Sequence, residues 1–148
     1  HIKTLVVDDW QYMSSFEYFD RANEKGYDKF TQIAANLAMV AKMPKDLRDN
    51  LTVIFLTHSE DSTDINGNRK IKAKTIGKMI DNTLTLEGLF SIVLFGKVNK
   101  NDDGVLEYGF ETQNNGENTC KSPMGMFEDI FIPNDLKYVK ECIQKYEE

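Results

Sequence analysis

Thr4-Leu5-Val6-Val7-Asp8-Asp9-Trp10-Gln11-Tyr12, TLVVDDWQY, is a short apolar, β-branched run that stops at two adjacent carboxylates. An apolar run without polar alternation suits a strand covered on both faces, as in a parallel α/β sheet, so a strand is expected over residues 4–7. A second run of this kind, Leu51-Thr52-Val53-Ile54-Phe55-Leu56-Thr57, leads into His58-Ser59-Glu60-Asp61. Open α/β sheets bind ligands at the carboxyl ends of their strands. If the two strands are neighbours, Asp8-Asp9 and Thr57-His58-Ser59-Glu60 lie side by side, and the reading of the chain turns on that juxtaposition.

Between the two runs, Phe16, Phe19 and Ala22 recur at helical spacing before Gly26. Phe30, Ile33, Leu37 and Val40 do the same behind Asp28, a candidate cap, and Pro44 stops the pattern. Two helices are expected there. Asn66-Gly67 favours a tight hairpin turn, with Ile71 and Ala73 on one face of the returning strand. Residues 75–90 read as a helix and a turn, and Ser91-Ile92-Val93-Leu94-Phe95 as a third apolar strand. Asn99 to Gly104 is a turn, so Val105 to Thr112 is expected to return as an antiparallel neighbour. After a loop from Gln113 to Pro123, a closing helix carries Leu136, Val139, Ile143 and Tyr146 on one stripe.

A chain of 148 residues is the size of one domain, and at this length roughly 70% of the unfolded surface is buried on folding. Hydrophobic residues at 41% and charged residues at 28% are ordinary for a globular protein. No apolar run approaches the ~20 residues needed to span a bilayer, and there is no secretory leader, so a cytoplasmic location without membrane contact is expected. A formal charge of -6 argues against a chain that coats nucleic acid. Arg69, Lys70, Lys72, Lys74 and Lys78 still form a local basic cluster, either a DNA-facing hairpin or a solvated face. Cys120 and Cys142 have no metal-binding spacing and are expected to be reduced.

Adjacent carboxylates repel, and a Mg²⁺ ion with its waters relieves that repulsion. The competing reading has one Asp capping the following helix and the other solvated. His58, beside Thr57 and Glu60, is either a phosphate-sensing imidazole or a hydrogen-bonded structural residue. Asn99-Lys100-Asn101-Asp102-Asp103-Gly104 imitates the start of a calcium loop, but Asn stands at its first position and Phe110 at its twelfth, so it is a turn. LVVDD and VIFLT also resemble a response-regulator receiver domain. That family needs a phospho-accepting Asp on an intervening strand, whereas residues 12–43 read as helices.

Taken together, TLVVDDWQY, LTVIFLTHSE, KAKTIGKMID, TLEGLFSIVLFGKV and TQNNGENTCKSPMGMFEDIFIPNDL resemble the later part of a phage-encoded RecA-like P-loop ATPase. Such proteins are linked to phage DNA recombination and single-strand annealing. The resemblance implies a RecA-like three-layer α/β sandwich, incomplete, with a mostly parallel sheet and an antiparallel C-terminal extension. It makes Leu5-Val6-Val7-Asp8 the Walker B strand. Asp8 would hold magnesium through water, and Asp9, also at the metal, would orient or deprotonate the attacking water.

The same resemblance makes Thr57 and His58 a γ-phosphate sensor beside Glu60, and assigns Gln11, Lys74 and Lys121 to the nucleotide, the lysines from a neighbouring subunit. The implied partners are ATP, single-stranded DNA and further copies of the chain, in the host cytoplasm. One departure stands out. No GxxxxGK[ST] occurs here, and Thr75-Ile76-Gly77-Lys78 lacks the first glycine and the final hydroxyl. In the family that loop precedes Walker B, so the chain reads as a partial core that is inactive alone and self-associates through exposed sheet edge. The alternative is a non-catalytic α/β interaction or receiver-like regulatory module.

Overall fold

The computed structural model describes residues 2–77 and 85–148. Among them the fold is mixed α/β, with three α-helices and small sheets of two or three strands. The chain gathers into two compact units, His1–Glu60 with Ala73–Leu89, and Asp61–Lys72 with Phe90–Glu148.

In the first unit, β1 (Thr4–Val7) and β2 (Thr52–Phe55) pair in parallel, from Thr4 opposite Thr52 to Val7 opposite Phe55. A parallel pair needs a long crossover, and here α1 (Gln11–Asp20) and α2 (Asp28–Lys42) provide it. The α2 stripe of Ile33, Ala34, Leu37 and Ala41 is buried, and Tyr18 and Ile76 pack against Ile33 and Ala34. Trp10 is buried edge-on against Phe55 at 5.1 Å between ring centroids. Pro44 lies in the short 3-10 turn Met43–Asp46 that ends α2. Tyr27 rather than Asp28 precedes α2, and no side chain caps it.

Two expectations fail in this unit. Leu5 and Val6 are 37% and 48% exposed, so β1 is not covered on both faces by the described residues. Phe16 and Phe19 are exposed, whereas Gln11 and Ser14 are the buried positions of α1. Apolar residues surround α1, with Tyr12 and Met13 besides the two phenylalanines, so spacing leaves its inward side undecided. The docking of the adjoining Trp10 on Phe55 decides it.

A hairpin of β3 (Ser59–Thr63) and β4 (Arg69–Ala73) turns at the expected Asn66-Gly67. Asp64 Oδ1 there accepts from the Asn66 and Asn68 amides, both at 2.8 Å, and Gly67 takes a φ of 84°. In the second unit, β5 (Phe95–Lys100), β6 (Leu106–Glu111) and β7 (Phe131–Pro133) form an antiparallel sheet in that order. The strand expected over residues 91–95 therefore begins at its last residue, and Val93 makes only an isolated bridge to Lys121. β5 alternates half-buried Phe95, Lys97 and Asn99 with exposed residues, a period of two that the apolar run before it concealed.

The closing helix, α3 (Leu136–Glu147), is as expected. Asp135 caps it by accepting from the Lys137 amide at 2.8 Å. Its Val139 is buried, while Leu136 and Tyr146 are exposed. Parallel pairing is confined to β1 and β2 among the described pairs whose direction is assigned, so the mostly parallel sheet is not observed. The helix expected over residues 75–90 falls partly on 78–84, outside the described residues; of the rest, Leu86–Leu89 is a 3-10 turn and Thr75 to Gly77 is not helical.

Candidate functional site

Parallel register brings the ends of β1 and β2 together. The Leu56 amide donates to the Val7 carbonyl at 2.9 Å, and the Trp10 amide to the Leu56 carbonyl at 3.2 Å. Between these two anchors the chain must turn sharply, and Asp9 does so at a φ of 49°. That left-handed conformation is uncommon outside glycine, and Asp is among the side chains that tolerate it. α1 starts at once, with the Tyr12 amide on the Asp9 carbonyl at 2.9 Å.

The Asp9 carboxylate faces across to β2. His58 Nε2 lies 3.1 Å from its Oδ1, and Gln11 Nε2 donates to the same oxygen at 3.3 Å. Gln11 is only 4% exposed, and its Oε1 is buried with no hydrogen-bond partner among the described residues. A buried unpaired acceptor costs about 1–3 kcal/mol. The Tyr12 ring meets the His58 ring edge-on at 6.1 Å and stacks on Phe16 at 6.0 Å. The His58 carbonyl accepts from the Lys74 amide at 2.8 Å, which ties β2's end to the strand that follows the hairpin.

Of the residues singled out in the sequence, the structure thus joins Asp9, Gln11 and His58 by side chain and Lys74 by backbone. Asp8 is exposed, and no donor bonds its carboxylate among the described residues. The helix-capping alternative for the acid pair is not observed, because Trp10 occupies the position before α1 and no side chain caps it. Thr57 is exposed and donates to the His58 carbonyl at 3.4 Å, too long for a strong bond. Glu60 is half-buried on β3. Lys121 belongs to the second unit, where its backbone pairs with Val93. Tyr12 is the neighbour that sequence reasoning missed; its place two residues after the turn was the available signal.

Among the described residues no group of three or more His, Cys, Asp or Glu side chains could hold a metal ion. In the basic hairpin, Arg69 is held by Asp61 at 2.9 Å and its pKa is raised by that bond, while Lys70 donates to the Gly116 carbonyl. Asp64 on the same hairpin is held below the usual carboxylate range by Asn68, so the cluster is partly neutralised. Lys78 lies outside the described residues.

No described helix is long and apolar enough to cross a membrane. Compared with known proteins, the chain matches no family model, no curated protein and no solved structure.

Proposed function

We propose that this chain carries the Walker B and sensor half of a RecA-like ATP site, within a protein that couples ATP hydrolysis to DNA recombination or single-strand annealing in the host cytoplasm. The observation that carries this reading is the parallel register of β1 and β2, with Asp9 beside His58 at the strand ends. Asp8 is the carboxylate left to face a hydrated magnesium ion, and Asp9 and His58 face the terminal phosphate. Bound magnesium would neutralise phosphate charge as it develops. Thr57, Glu60, Lys74 and Lys121 keep their family roles as parts of this proposal, as do single-stranded DNA and further copies as partners and the RecA-like sandwich as the fold.

The phosphate-cradling loop is absent from these 148 residues. The chain alone is therefore expected neither to bind ATP tightly nor to hydrolyse it, as equilibrium dialysis and phosphate release would measure. The native gene should encode a GxxxxGK[ST] loop upstream of TLVVDDWQY, and in the full-length protein Asp8→Asn should lower magnesium-dependent turnover by about 100-fold or more. A gene without that loop, or turnover by the 148-residue chain, sinks the reading. One observation favours the interaction module instead: Leu5, Val6, Phe16 and Phe19 are exposed on the first unit. Under that reading Asp8→Asn changes no activity.

A further inference from the structure

The chain holds two Asn-Gly dipeptides, Asn66-Gly67 and Asn115-Gly116. Such a pair can close on itself, because a glycine carries no side chain to keep its nitrogen from the preceding asparagine Cγ. By sequence the two are equivalent. Much of the structure treats them alike as well: both asparagines are exposed, both glycines take a positive φ, 84° and 98°, and a Cβ on either would meet nothing within 4 Å. Both glycine amides are engaged, Gly67 donating to the Asp64 carbonyl at 3.0 Å and Gly116 to Asn114 Oδ1 at 2.6 Å.

The asparagine side chains separate them. Asn115 is held at both ends of its carboxamide: Oδ1 accepts from the Glu117 amide at 2.9 Å, and Nδ2 reaches Glu111 Oε2 in a long contact of 3.5 Å. Glu111 is itself buried and fixed by Lys97 at 2.6 Å. The backbone of this loop is pinned where the Glu117 carbonyl accepts from the Ile71 amide at 2.6 Å. Asn66 lies at the tip of the β3–β4 hairpin, where its backbone amide donates to Asp64 Oδ1 at 2.8 Å. Its carboxamide makes no hydrogen bond among the described residues. One side chain is thus free to swing onto the following nitrogen, and the other must first give up its bonds.

We infer that Asn66 is a site of spontaneous deamidation and that the fold protects Asn115 from the same reaction. This is independent of the nucleotide site proposed above. The Gly67 nitrogen gives its proton to solvent and bonds to Asn66 Cγ; the bond from Cγ to Nδ2 breaks, and the nitrogen leaves as ammonia with a proton from solvent. Water then opens the cyclic imide at either carbonyl, giving aspartate or isoaspartate. Aspartate adds a carboxylate to the turn that already holds Asp64, in the hairpin that carries Arg69 and Lys70. Isoaspartate routes the main chain through Cβ and lengthens it by one atom. The bond from the Gly67 amide to the Asp64 carbonyl and the one from the Asp64 amide to the Asn68 carbonyl cannot then both keep their geometry.

Ageing the purified chain in mildly alkaline buffer, followed by tryptic digestion and mass spectrometry against synthetic aspartyl and isoaspartyl peptides, tests this. In the folded chain Asn66 should convert about tenfold faster than Asn115, the scale of the one or two hydrogen bonds that must break first. In urea that ratio should collapse toward equality. Asn114→Ala frees the Gly116 amide and should speed conversion of Asn115 while leaving Asn66 unchanged. Circular dichroism shows whether that variant folds, and the wild-type ratio decides without it. Comparable rates in the folded wild-type chain, a ratio that urea does not change, or an unmoved Asn115 rate in folded Asn114→Ala overturns the inference.

Discussion

At Gly109 the absence of a side chain is a packing requirement. A Cβ there would fall 2.3 Å from the Phe131 ring and 2.6 Å from the Ile132 carbonyl oxygen. Because β6 and β7 meet at this point, the Ile132 carbonyl cannot retreat without opening the sheet. Gly109→Ala should destabilise the chain by about 1–3 kcal/mol, read from urea denaturation. Cys120 makes a pH-dependent contribution. Burial first, and then the Glu111 charge, push its thiol up to about 12. An unfolded cysteine ionises near 8.5, so the unfolded state sheds a proton that the native state retains. Stability should therefore be unaffected by this thiol below pH ~8.5 and fall as pH rises from there toward 12. The difference between wild type and Cys120→Ala, followed by urea midpoint against pH, isolates that contribution from other groups titrating in the same range.

Among the elements, α3 shows how local chemistry sets a boundary. Asp135 satisfies the Lys137 amide, one of the donors a helix start leaves unpaired. Asp135→Ala should cost about 1 kcal/mol of stability by urea titration, and asparagine at the same position should retain most of it. The β5–β6 pair carries a buried polar network: Glu111 accepts from Lys97 at 2.6 Å and from Asn118. Neither strand's apolar content accounts for this pair, since Lys97 and Glu111 lie on its inward face. α1 shows the opposite case, in which the element is evident from spacing and its orientation is not.

At the scale of the whole molecule, exposed apolar surface in the first unit is the feature with consequences. β1 has only β2 as a described partner, and both Leu5 and Val6 are substantially exposed. An unpaired apolar strand edge is a template for another chain. The purified chain should self-associate, and size-exclusion chromatography with light scattering should show species larger than a monomer. Leu5→Lys with Val6→Lys should return it to monomer. A wild-type chain that elutes only as a monomer would refute this.

Much was determined by sequence alone: the two parallel strands and both helices between them, the Asn66-Gly67 turn, the return strand β6 and α3 follow from apolar runs, helical spacing and turn residues, whereas the start of β5 does not. These signals are local, so they survive without knowledge of distant contacts. The strand of Phe131–Pro133 left no such mark, because three residues carry no measurable period. At the candidate site the sequence marked the acids and the histidine as neighbours but left their relation open. Only the tertiary structure decided that Asp9 turns its carboxylate to His58 and Gln11 rather than to the start of α1. That choice is made by the backbone bonds that Val7 and Trp10 both make to Leu56, far along the chain, which force the left-handed turn at Asp9 between them.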